Sequence, residues 1–327
     1  MSREILETKD LKGYYRGTFG VVQGVNGISL TVREGDRVAI AGESGCGKTT
    51  LIELLTGTPE PLLHYEGGEV IVEGYDVWHI DPEVLRKEVK CEHLSYVPQS
   101  SLNSLNPTKR LKEFLADMLE ERTGEEHTAE DAREMIGEHF ERLGLNKSLL
   151  DRYPHELSGG QKQRANIAIS TFAEPSTLLI DEPTSSLDVT SQRRMVELLV
   201  DIHEREIIDS LVAVSHDLGV LRQLCNRLAV MYGGTFTEVG MMDDIVEDPL
   251  HPYSRLLLES LVPLERDVKG KSLKSIPGSP PDLRNPPPGC KFHPRCPECM
   301  EICKKKMPPG FEEDGREVYC WLFEEED

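Results

Sequence analysis

The most constraining feature of this sequence is a glycine-rich octapeptide, Gly42-Glu-Ser-Gly-Cys-Gly-Lys-Thr49. An apolar strand pattern, Val38–Ala41, precedes it, and the apolar residues between Leu51 and Leu55 continue it as a buried helix. Glycines let successive backbone N–H groups point inward around a phosphate, and the following helix adds the positive end of its dipole. The sequence therefore predicts a phosphate-binding loop between a strand and a helix.

Two side chains at the end of the octapeptide suit a nucleoside triphosphate. Lys48 is expected to reach the β- and γ-phosphate oxygens, and the Thr49 hydroxyl is expected to bind Mg²⁺. ATP is the expected ligand. The residues predicted to contact it in this loop are Gly42, Ser44, Gly45, Cys46, Gly47, Lys48, Thr49 and Thr50.

A second apolar strand pattern, Ser176–Ile180, ends in two acidic residues, Asp181 and Glu182. Ligands of parallel sheets bind at the carboxyl ends of the strands, so these carboxylates are expected beside the phosphate loop. Asp181 is predicted to bind Mg²⁺ through water. Glu182 is predicted to polarise the water that attacks the γ-phosphate.

Leu157-Ser-Gly-Gly-Gln161 is the most discriminating motif. Helix capping alone accounts for Ser158 and Gln161, since Ser-x-x-Gln is a capping box. A serine hydroxyl and glycine amides at a helix N-terminus also form a second anion site. Two copies of such a chain, packed head to tail, bring both sites to one γ-phosphate.

In the chain the octapeptide comes first, Leu157–Gln161 second and the strand that ends in Asp181-Glu182 third, and this succession resembles the ABC ATPase family over about residues 4–245. The resemblance implies an α/β fold: a P-loop NTPase with a RecA-like core, an antiparallel β subdomain and a helical ABC subdomain at about residues 100–173. We expect the nucleotide-binding domain to span residues 1–248. A proline-rich linker and a small cysteine-rich C-terminal tail are expected over residues 249–327.

The resemblance also implies roles for residues outside the three motifs. Gln99 matches the glutamine that contacts Mg²⁺ and senses the membrane partner, and His216 matches the histidine that contacts the γ-phosphate. Ser186-Leu187-Asp188 matches a loop that crosses the dimer interface. Tyr15 is expected to stack on adenine, with the adjacent Tyr14 as the alternative. The expected catalytic residues are Glu182, His216 and Gln99. The nucleotide bound by the second ATPase subunit is expected to contact Ser158, Gly160, Gln161 and Asp188 of this chain.

Finer motifs resemble the ATPases of di- and oligopeptide importers. These motifs are Ser104–Pro107, Leu187–Thr190, His251–Tyr253, Ile276–Pro281 and the stretch from Pro288 to Pro297. The resemblance implies two transmembrane permease subunits, a second ATPase subunit (identical or paralogous) and, indirectly, an extracytoplasmic solute-binding protein. It places the chain peripherally on the cytoplasmic face of the membrane. Nickel and oligosaccharides remain alternative cargoes.

The charge balance excludes some other functions. With 58 acidic and 37 basic residues the formal net charge is −21, which repels nucleic acids and anionic lipid heads. A soluble ABC ATPase acting on nucleic acid or ribosomes is therefore the less favoured alternative. The N-terminus has no apolar h-region, so we expect no secretory signal, and no apolar run in the sequence is long enough to span a bilayer. We expect the acidic run from Phe311 onward to be a solvated tail.

Five of the eight cysteines crowd near the C-terminus. Cys290, Cys296, Cys303 and Cys320 resemble the four-cysteine tail of the peptide importers, which is associated with an iron–sulfur cluster in some members. Four thiolates suit a [4Fe–4S] cluster or a tetrahedral Zn²⁺. Cys299 is a possible substitute for one of the four, and reduced thiols or disulfides without metal remain open.

Overall fold

The computed structural model describes residues 2–90, 92–99, 105–185, 187–261 and 276–324. The chain divides into two compact units. The first unit joins the residues up to Trp78 with those from Val212 onward, and the second spans His79–Leu211. Part of the motif Ser104–Pro107 and Ser186 lie outside the described residues.

Strands and helices alternate along most of the described chain. The strands are β1 (Glu4–Gly17), β2 (Gly20–Arg33), β3 (Arg37–Ala41), β4 (Leu63–Val72), β5 (Tyr75–Asp76), β6 (Leu94–Val97), β7 (Thr177–Asp181), β8 (Ser210–Val214), β9 (Arg227–Tyr232), β10 (Thr235–Met241), β11 (Phe311–Glu313) and β12 (Arg316–Val318). The α-helices are α1 (Lys48–Leu55), α2 (Pro82–Val84), α3 (Leu111–Thr123), α4 (Ala129–Arg142), α5 (Gly159–Ser170), α6 (Val189–Glu204), α7 (Leu218–Leu224), α8 (Met242–Glu247) and α9 (Pro252–Leu261). Single turns of π or 3₁₀ helix lie at Leu85–Val89, Lys147–Asp151, Pro154–Glu156, His293–Arg295 and Trp321–Phe323.

The first unit contains an antiparallel sheet in the order β2-β1-β4-β5. Ile28, Leu30 and Val32 of β2 are buried, with at most 4% of each residue exposed, while their neighbours in sequence are more accessible. The alternation seen in the sequence therefore places one face of this strand in the core, as a half-buried strand requires.

A second group of strands in the first unit carries the phosphate loop. β3 pairs in parallel with β9, and Val38 lies opposite Arg227. β9 and β10 form a hairpin around Gly233-Gly234, with Tyr232 opposite Thr235. Because the octapeptide follows β3 directly and α1 begins at Lys48, the loop lies at the carboxyl end of a parallel strand.

The C-terminal residues 276–324, called the tail below, extend this group of strands. β12 pairs with β10, Val318 opposite Glu238, and with β11. Val318 is fully buried, and Phe311 and Phe323 pack against the same small core. The expectation that the acidic run from Phe311 onward is a solvated tail is thus wrong for its first half. The strand that begins at Arg316 has alternating buried and exposed residues and pairs with the edge of β10. A count of charges does not reveal such a strand.

The second unit is mainly helical, as predicted for this part of the chain, and contains the parallel strands β6 and β7. Thr128 caps α4 by accepting a hydrogen bond from the Asp131 N–H at 3.2 Å, and the Asp131 carboxylate accepts one from the Thr128 N–H at 2.9 Å. The Asp81 carboxylate caps α2 in the same way by accepting from the Glu83 N–H. A polar side chain therefore caps the start of each of these two helices.

His251 gives the first unit a pH-dependent stability. Its ring is buried, and its Nδ1 accepts the Tyr253 N–H at 2.9 Å at the start of α9. Burial lowers the pKa of His251 to about 3, so the unfolded chain binds more protons below about pH 6.5. Stability should therefore fall as the pH drops from about 6.5 towards 3, by on the order of 4 kcal/mol from this residue.

The substitution His251→Asn tests this linkage. The asparagine carbonyl also accepts a hydrogen bond at a helix N-terminus but does not titrate. We expect the denaturant midpoint of the variant to change less between pH 7 and pH 4 than that of the wild type. The control is His155→Asn, at an exposed histidine of the second unit. Equal pH dependence in all three proteins would contradict the assignment.

Candidate active site

The phosphate loop of the first unit is held by its own lysine. Lys48 Nζ donates to the carbonyl oxygens of Gly42 at 2.9 Å and Glu43 at 3.1 Å. The Cys46 N–H donates to the Glu43 carbonyl at 3.3 Å, which closes a turn within the loop. The ammonium group thus lies across the loop, at the start of α1, where a triphosphate needs a cation.

Two glycines of the loop are required by close backbone contacts. At Gly47 φ is +110°, and a Cβ atom there would lie 2.1 Å from the Gly24 carbonyl oxygen. A Cβ atom at Gly42 would lie 2.2 Å from the Met231 carbonyl oxygen. The loop therefore packs directly against β2 and β9, and this packing fixes its path.

His216 and the phosphate loop line one pocket of the first unit, about 440 Å³ in volume. Gly42 and Ser44 line one part of it, and Leu257 and Ile276 contribute apolar surface. The structure therefore brings the predicted γ-phosphate histidine together with the predicted phosphate loop. From the sequence, only the resemblance to the family indicated that these residues lie close together.

Tyr15 also lies against the phosphate-loop helix. Its hydroxyl is 3.2 Å from the Thr50 hydroxyl, and burial raises the pKa of Tyr15. The Tyr14 hydroxyl instead donates to Asn26 Oδ1 at 2.8 Å. Of the two candidate aromatics, Tyr15 is the one in contact with a residue predicted to bind the nucleotide, and its adenine-stacking role stays a prediction.

The acidic strand end lies in the second unit. β7 ends at the buried Asp181, and Glu182 follows with 8% of its surface exposed and φ at +52°. The left-handed conformation is unfavourable for glutamate and tends to persist where the surrounding structure enforces it, often at functional sites. The Glu182 carbonyl accepts from the Ser185 N–H at 3.2 Å and the Ser185 hydroxyl at 3.0 Å.

Ser158 caps α5 as the capping-box interpretation requires. Its hydroxyl accepts from the Gln161 N–H at 3.3 Å, and Gln161 Oε1 accepts from the Ser158 N–H at 3.0 Å. Gly160 lies beside Ser191, whose Oγ is 3.2 Å from the position a Cβ would take. Capping and anion binding are compatible, because the serine and the helix amides stay at the exposed helix start.

Within the second unit, Asp188 caps α6, and the loop after β7 is bonded to α5. The Asp188 carboxylate accepts from the Ser191 N–H at 3.0 Å and the Ser191 hydroxyl at 2.7 Å. The Gln163 side chain of α5 donates to the Pro183 carbonyl, next to Glu182. Gln99 is exposed just beyond β6. The second unit thus contains the Ser-Gly-Gly-Gln helix, Glu182 and Asp188, and one hydrogen bond joins that helix to the residue after Glu182.

The residues predicted to bind Mg²⁺ suit that ion chemically. Thr49 offers a hydroxyl, Gln99 an amide oxygen and Asp181 a carboxylate. Mg²⁺ is a hard cation that prefers such oxygen ligands. The donor set therefore fits a magnesium nucleotide.

The tail brings five cysteines near one another. Cys290, Cys296, Cys299, Cys303 and Cys320 interact electrostatically in pairs, and the Cys290 N–H donates to the Cys303 carbonyl at 2.9 Å. Burial raises the pKa of Cys296 to about 12 and that of Cys320 to about 11. Among the described residues, no group of three or more His, Cys, Asp or Glu side chains is arranged to hold a metal ion. The thiols as placed therefore do not fit a cluster, and the metal assignment stays a prediction.

Cys46 is buried in the loop rather than presented to solvent. Burial raises the pKa of its thiol despite the nearby Lys48 ammonium. The thiolate is the reactive form of cysteine. Cys46 is therefore expected to react slowly with thiol reagents.

Sequence reasoning missed the partner of the Glu43 carboxylate. Arg295 of the tail forms an ion pair with it at 2.6 Å, across 252 positions of the chain. The sequence offers no signal for this pair, because neither residue shows a periodicity or a spacing that points to the other.

In the described ranges no helix combines the length and apolarity needed to cross a membrane.

Comparison with family models places two matches on the chain. Residues 25–185 match the ABC transporter model, and residues 237–303 match the model of the oligopeptide/dipeptide transporter C-terminal region. The two matches cover the phosphate loop, the strand ending in Asp181 and part of the tail.

Curated relatives align over nearly the whole chain. The dipeptide transport ATP-binding protein DppD of Caldanaerobacter subterraneus subsp. tengcongensis is 39% identical over 323 residues, covering 98% of this chain and 98% of its own. The oligopeptide transport ATP-binding protein AppF of Bacillus subtilis is 36% identical, covering 93% of this chain and 92% of its own. The dipeptide transport ATP-binding protein DppF of Escherichia coli is 33% identical, covering 100% and 97%.

Solved structures share the fold. The dimeric post-hydrolysis state of the ATP-binding cassette MJ0796 bound to ADP and Pi aligns with a TM-score of 0.62 and 25% identity. The alignment covers 72% of this chain and 98% of that cassette. The P-loop cassette fold, with its mixed α/β content, is thus the fold of this chain.

Proposed function

The chain belongs to the ATP-binding subunits of ABC transporters, in the oligopeptide/dipeptide group, and from this membership we propose how it hydrolyses ATP and what it drives. It is an ATPase whose hydrolysis is coupled to peptide import. The observation that carries the proposed mechanism is the Lys48 ammonium lying across the phosphate loop, on the carbonyls of Gly42 and Glu43.

The proposed catalytic unit is a pair of ATPase subunits that enclose two nucleotides. Each ATP would be bound by Lys48 and Thr49 of one subunit, with adenine on Tyr15, and by the Ser158 helix of the other subunit. The MJ0796 cassette, which was solved as a dimer bound to ADP and Pi, supports this arrangement. Glu182 would orient the attacking water, and His216 would contact the γ-phosphate.

Magnesium would supply charge neutralisation at the β- and γ-phosphates. We propose Thr49, Gln99 and Asp181 as the residues that hold it, from their oxygen donors. The partner-facing roles of Gly160, Gln161 and Asp188 are proposals of the same kind.

We also propose that the chain is organised as a nucleotide-binding domain at residues 1–248 followed by a linker and tail at residues 249–327.

Transport requires partners that this chain does not supply. We propose two transmembrane permease subunits, a second ATPase subunit that is identical or paralogous, and an extracytoplasmic solute-binding protein that acts indirectly. The chain would then work on the cytoplasmic face of the membrane as a peripheral subunit. Gln99 lies at an exposed position, as contact with a permease requires.

A di- or oligopeptide is the proposed cargo, since the relatives are named for dipeptide and oligopeptide transport. The test combines the chain with its permeases and solute-binding protein in proteoliposomes and measures ATPase activity. Peptides should stimulate turnover, whereas nickel or oligosaccharides should not. Stimulation by one of these alternatives alone would overturn the peptide assignment while leaving the ATPase intact.

A metal centre at Cys290, Cys296, Cys303 and Cys320 is the proposed use of the tail thiols, an iron–sulfur cluster before Zn²⁺. The four thiolates supply the right chemistry, although their positions in the structure do not converge. Anaerobic purification followed by iron, sulfide and zinc analysis decides the matter. If iron, sulfide and zinc were all present in less than stoichiometric amounts, the proposal would be wrong. The thiols would then be reduced or disulfide-bonded.

A further inference from the structure

The tail contacts the phosphate loop through one buried arginine. Arg295 Nη1 donates to Glu43 Oε2 at 2.6 Å, and Arg295 Nη2 donates to Glu43 Oε1 at 3.1 Å. The Arg295 side chain is 6% exposed and that of Glu43 is 21% exposed. Paired hydrogen bonds between a planar guanidinium and a carboxylate fix their orientation as well as their separation. The ion pair therefore fixes the second residue of the loop.

The remaining donors of Arg295 are also engaged. Nε donates to the Pro277 carbonyl at 2.7 Å, Nη2 to the Ile276 carbonyl at 3.4 Å and Nη1 to the Tyr232 hydroxyl at 3.2 Å. The guanidinium carbon also lies 5.7 Å from the centre of the Tyr232 ring. Arginine has five N–H donors, and here each has an acceptor. The side chain consequently has one geometry, set by both the tail and β9.

Glu43 links that arginine to the lysine of the loop. Its N–H donates to the Tyr253 hydroxyl at 2.9 Å, and its carbonyl accepts Lys48 Nζ at 3.1 Å and the Cys46 N–H at 3.3 Å. Its N–H, carbonyl and carboxylate are thus all bonded. A shift of Glu43 would therefore also shift the contact that positions Lys48.

An aromatic cluster supports the same junction. The tail residue Phe292 is 1% exposed, and its ring centre lies 5.1 Å from that of Tyr232 and 5.2 Å from that of Tyr253. These two tyrosines are the ones that bond to Arg295 and to the Glu43 N–H. The tail thus contributes both the ion pair and the packing around it.

We propose that Arg295 is a positioning residue for nucleotide binding, by which the tail sets the conformation of the phosphate loop. The inference rests on the proposed function, in which Gly42–Thr49 binds ATP. Arg295 acts through Glu43 and does not touch the nucleotide. Its loss should therefore weaken the binding of ATP more than it slows the chemical step, which depends on Glu182.

The test uses the full-length chain with Arg295→Met, which keeps the length of the side chain and removes its charge and donors. The control is Arg284→Met, since Arg284 forms an exposed tail ion pair with Asp282 at 2.7 Å. We expect Arg295→Met to bind a fluorescent ATP analogue about tenfold more weakly, because Glu43 and the loop then lose their paired contact with the tail. Arg284→Met should bind it like the wild type. In the assembled transporter the KM for ATP of Arg295→Met should rise by the same factor, with kcat within about twofold of the wild type.

Two further variants keep the proposal falsifiable. Arg295→Lys should recover only part of the affinity, because an ammonium group cannot form the paired contact. Glu43→Gln, which leaves the tail intact, should weaken binding in the same direction if Arg295→Met does not fold.

Several results would overturn the proposal. One is equal affinity of Arg295→Met and Arg284→Met, and another is a fall in kcat with an unchanged KM. Full recovery by Arg295→Lys would also contradict it. A wild-type chain that does not bind the analogue would instead refute the nucleotide site itself, so the two failures are distinguishable.

Discussion

Glu182→Gln is expected to lower ATP turnover by about 10² to 10⁴ while leaving ATP binding intact. The carboxamide keeps the shape of the side chain but cannot accept the proton of the attacking water. Glu182 lies directly after the buried end of β7, mostly buried and at a φ of +52°, so its direction is fixed by the backbone. The variant should therefore accumulate in an ATP-bound dimer.

Two measurements check this expectation. Steady-state phosphate release with the cognate permeases gives turnover, and light scattering with and without Mg-ATP gives the mass of the nucleotide-trapped species. The matched control is Glu206→Gln, at an exposed glutamate of the second unit whose φ is +55°. It makes the same chemical change at the same backbone conformation and should turn over like the wild type. If Glu182→Gln released phosphate at the wild-type rate, Glu182 would have no catalytic role.

Gly47→Ala is expected to lose most of its nucleotide affinity. The new Cβ would lie 2.1 Å from the Gly24 carbonyl oxygen, a backbone atom that cannot turn away, and φ at this position is +110°. Strained conformations of this kind cost about 1–3 kcal/mol before any clash is counted. The loop should therefore leave its path, and ATP should bind at least about tenfold more weakly.

Gly45→Ala is the matched control within the same loop. Its φ is +78°, but among the described atoms none lies within 4 Å of the position its Cβ would take. Only the left-handed conformation is then penalised, by about 1–2 kcal/mol. Isothermal titration with ATP and the melting temperature should both show a clearly larger loss for Gly47→Ala. Equal losses would mean that contact with β2 does not fix the loop.

Local sequence signals accounted for much of the fold because they depend on neighbouring residues. The octapeptide follows β3 and runs into α1, and Ser158 caps the helix that its capping box predicted. The hairpin at Gly233-Gly234 formed for the same reason, since its turn residues are adjacent in the chain.

Sequence patterns did not predict the contacts between segments that are far apart in the chain. The pairing of β12 with β10 and the ion pair between Arg295 and Glu43 join residues with no shared local pattern. The positions of the tail cysteines are of the same kind, since spacing alone does not determine whether their sulfurs converge. The roles of Gln99, Tyr15 and His216 came from the resemblance, and they stay predictions until variants at these positions are measured.

The pairing of β3 with β9 has a consequence for biosynthesis. β3 is complete once Ala41 has been made, yet the strand beside it begins at Arg227 and the last strand on that side ends at Val318. Contacts of such long sequence separation slow folding, and a domain emerging from the ribosome cannot form them before its distal strands exist. We therefore expect the nascent first unit to stay open, and to need protection from aggregation, until translation is almost finished.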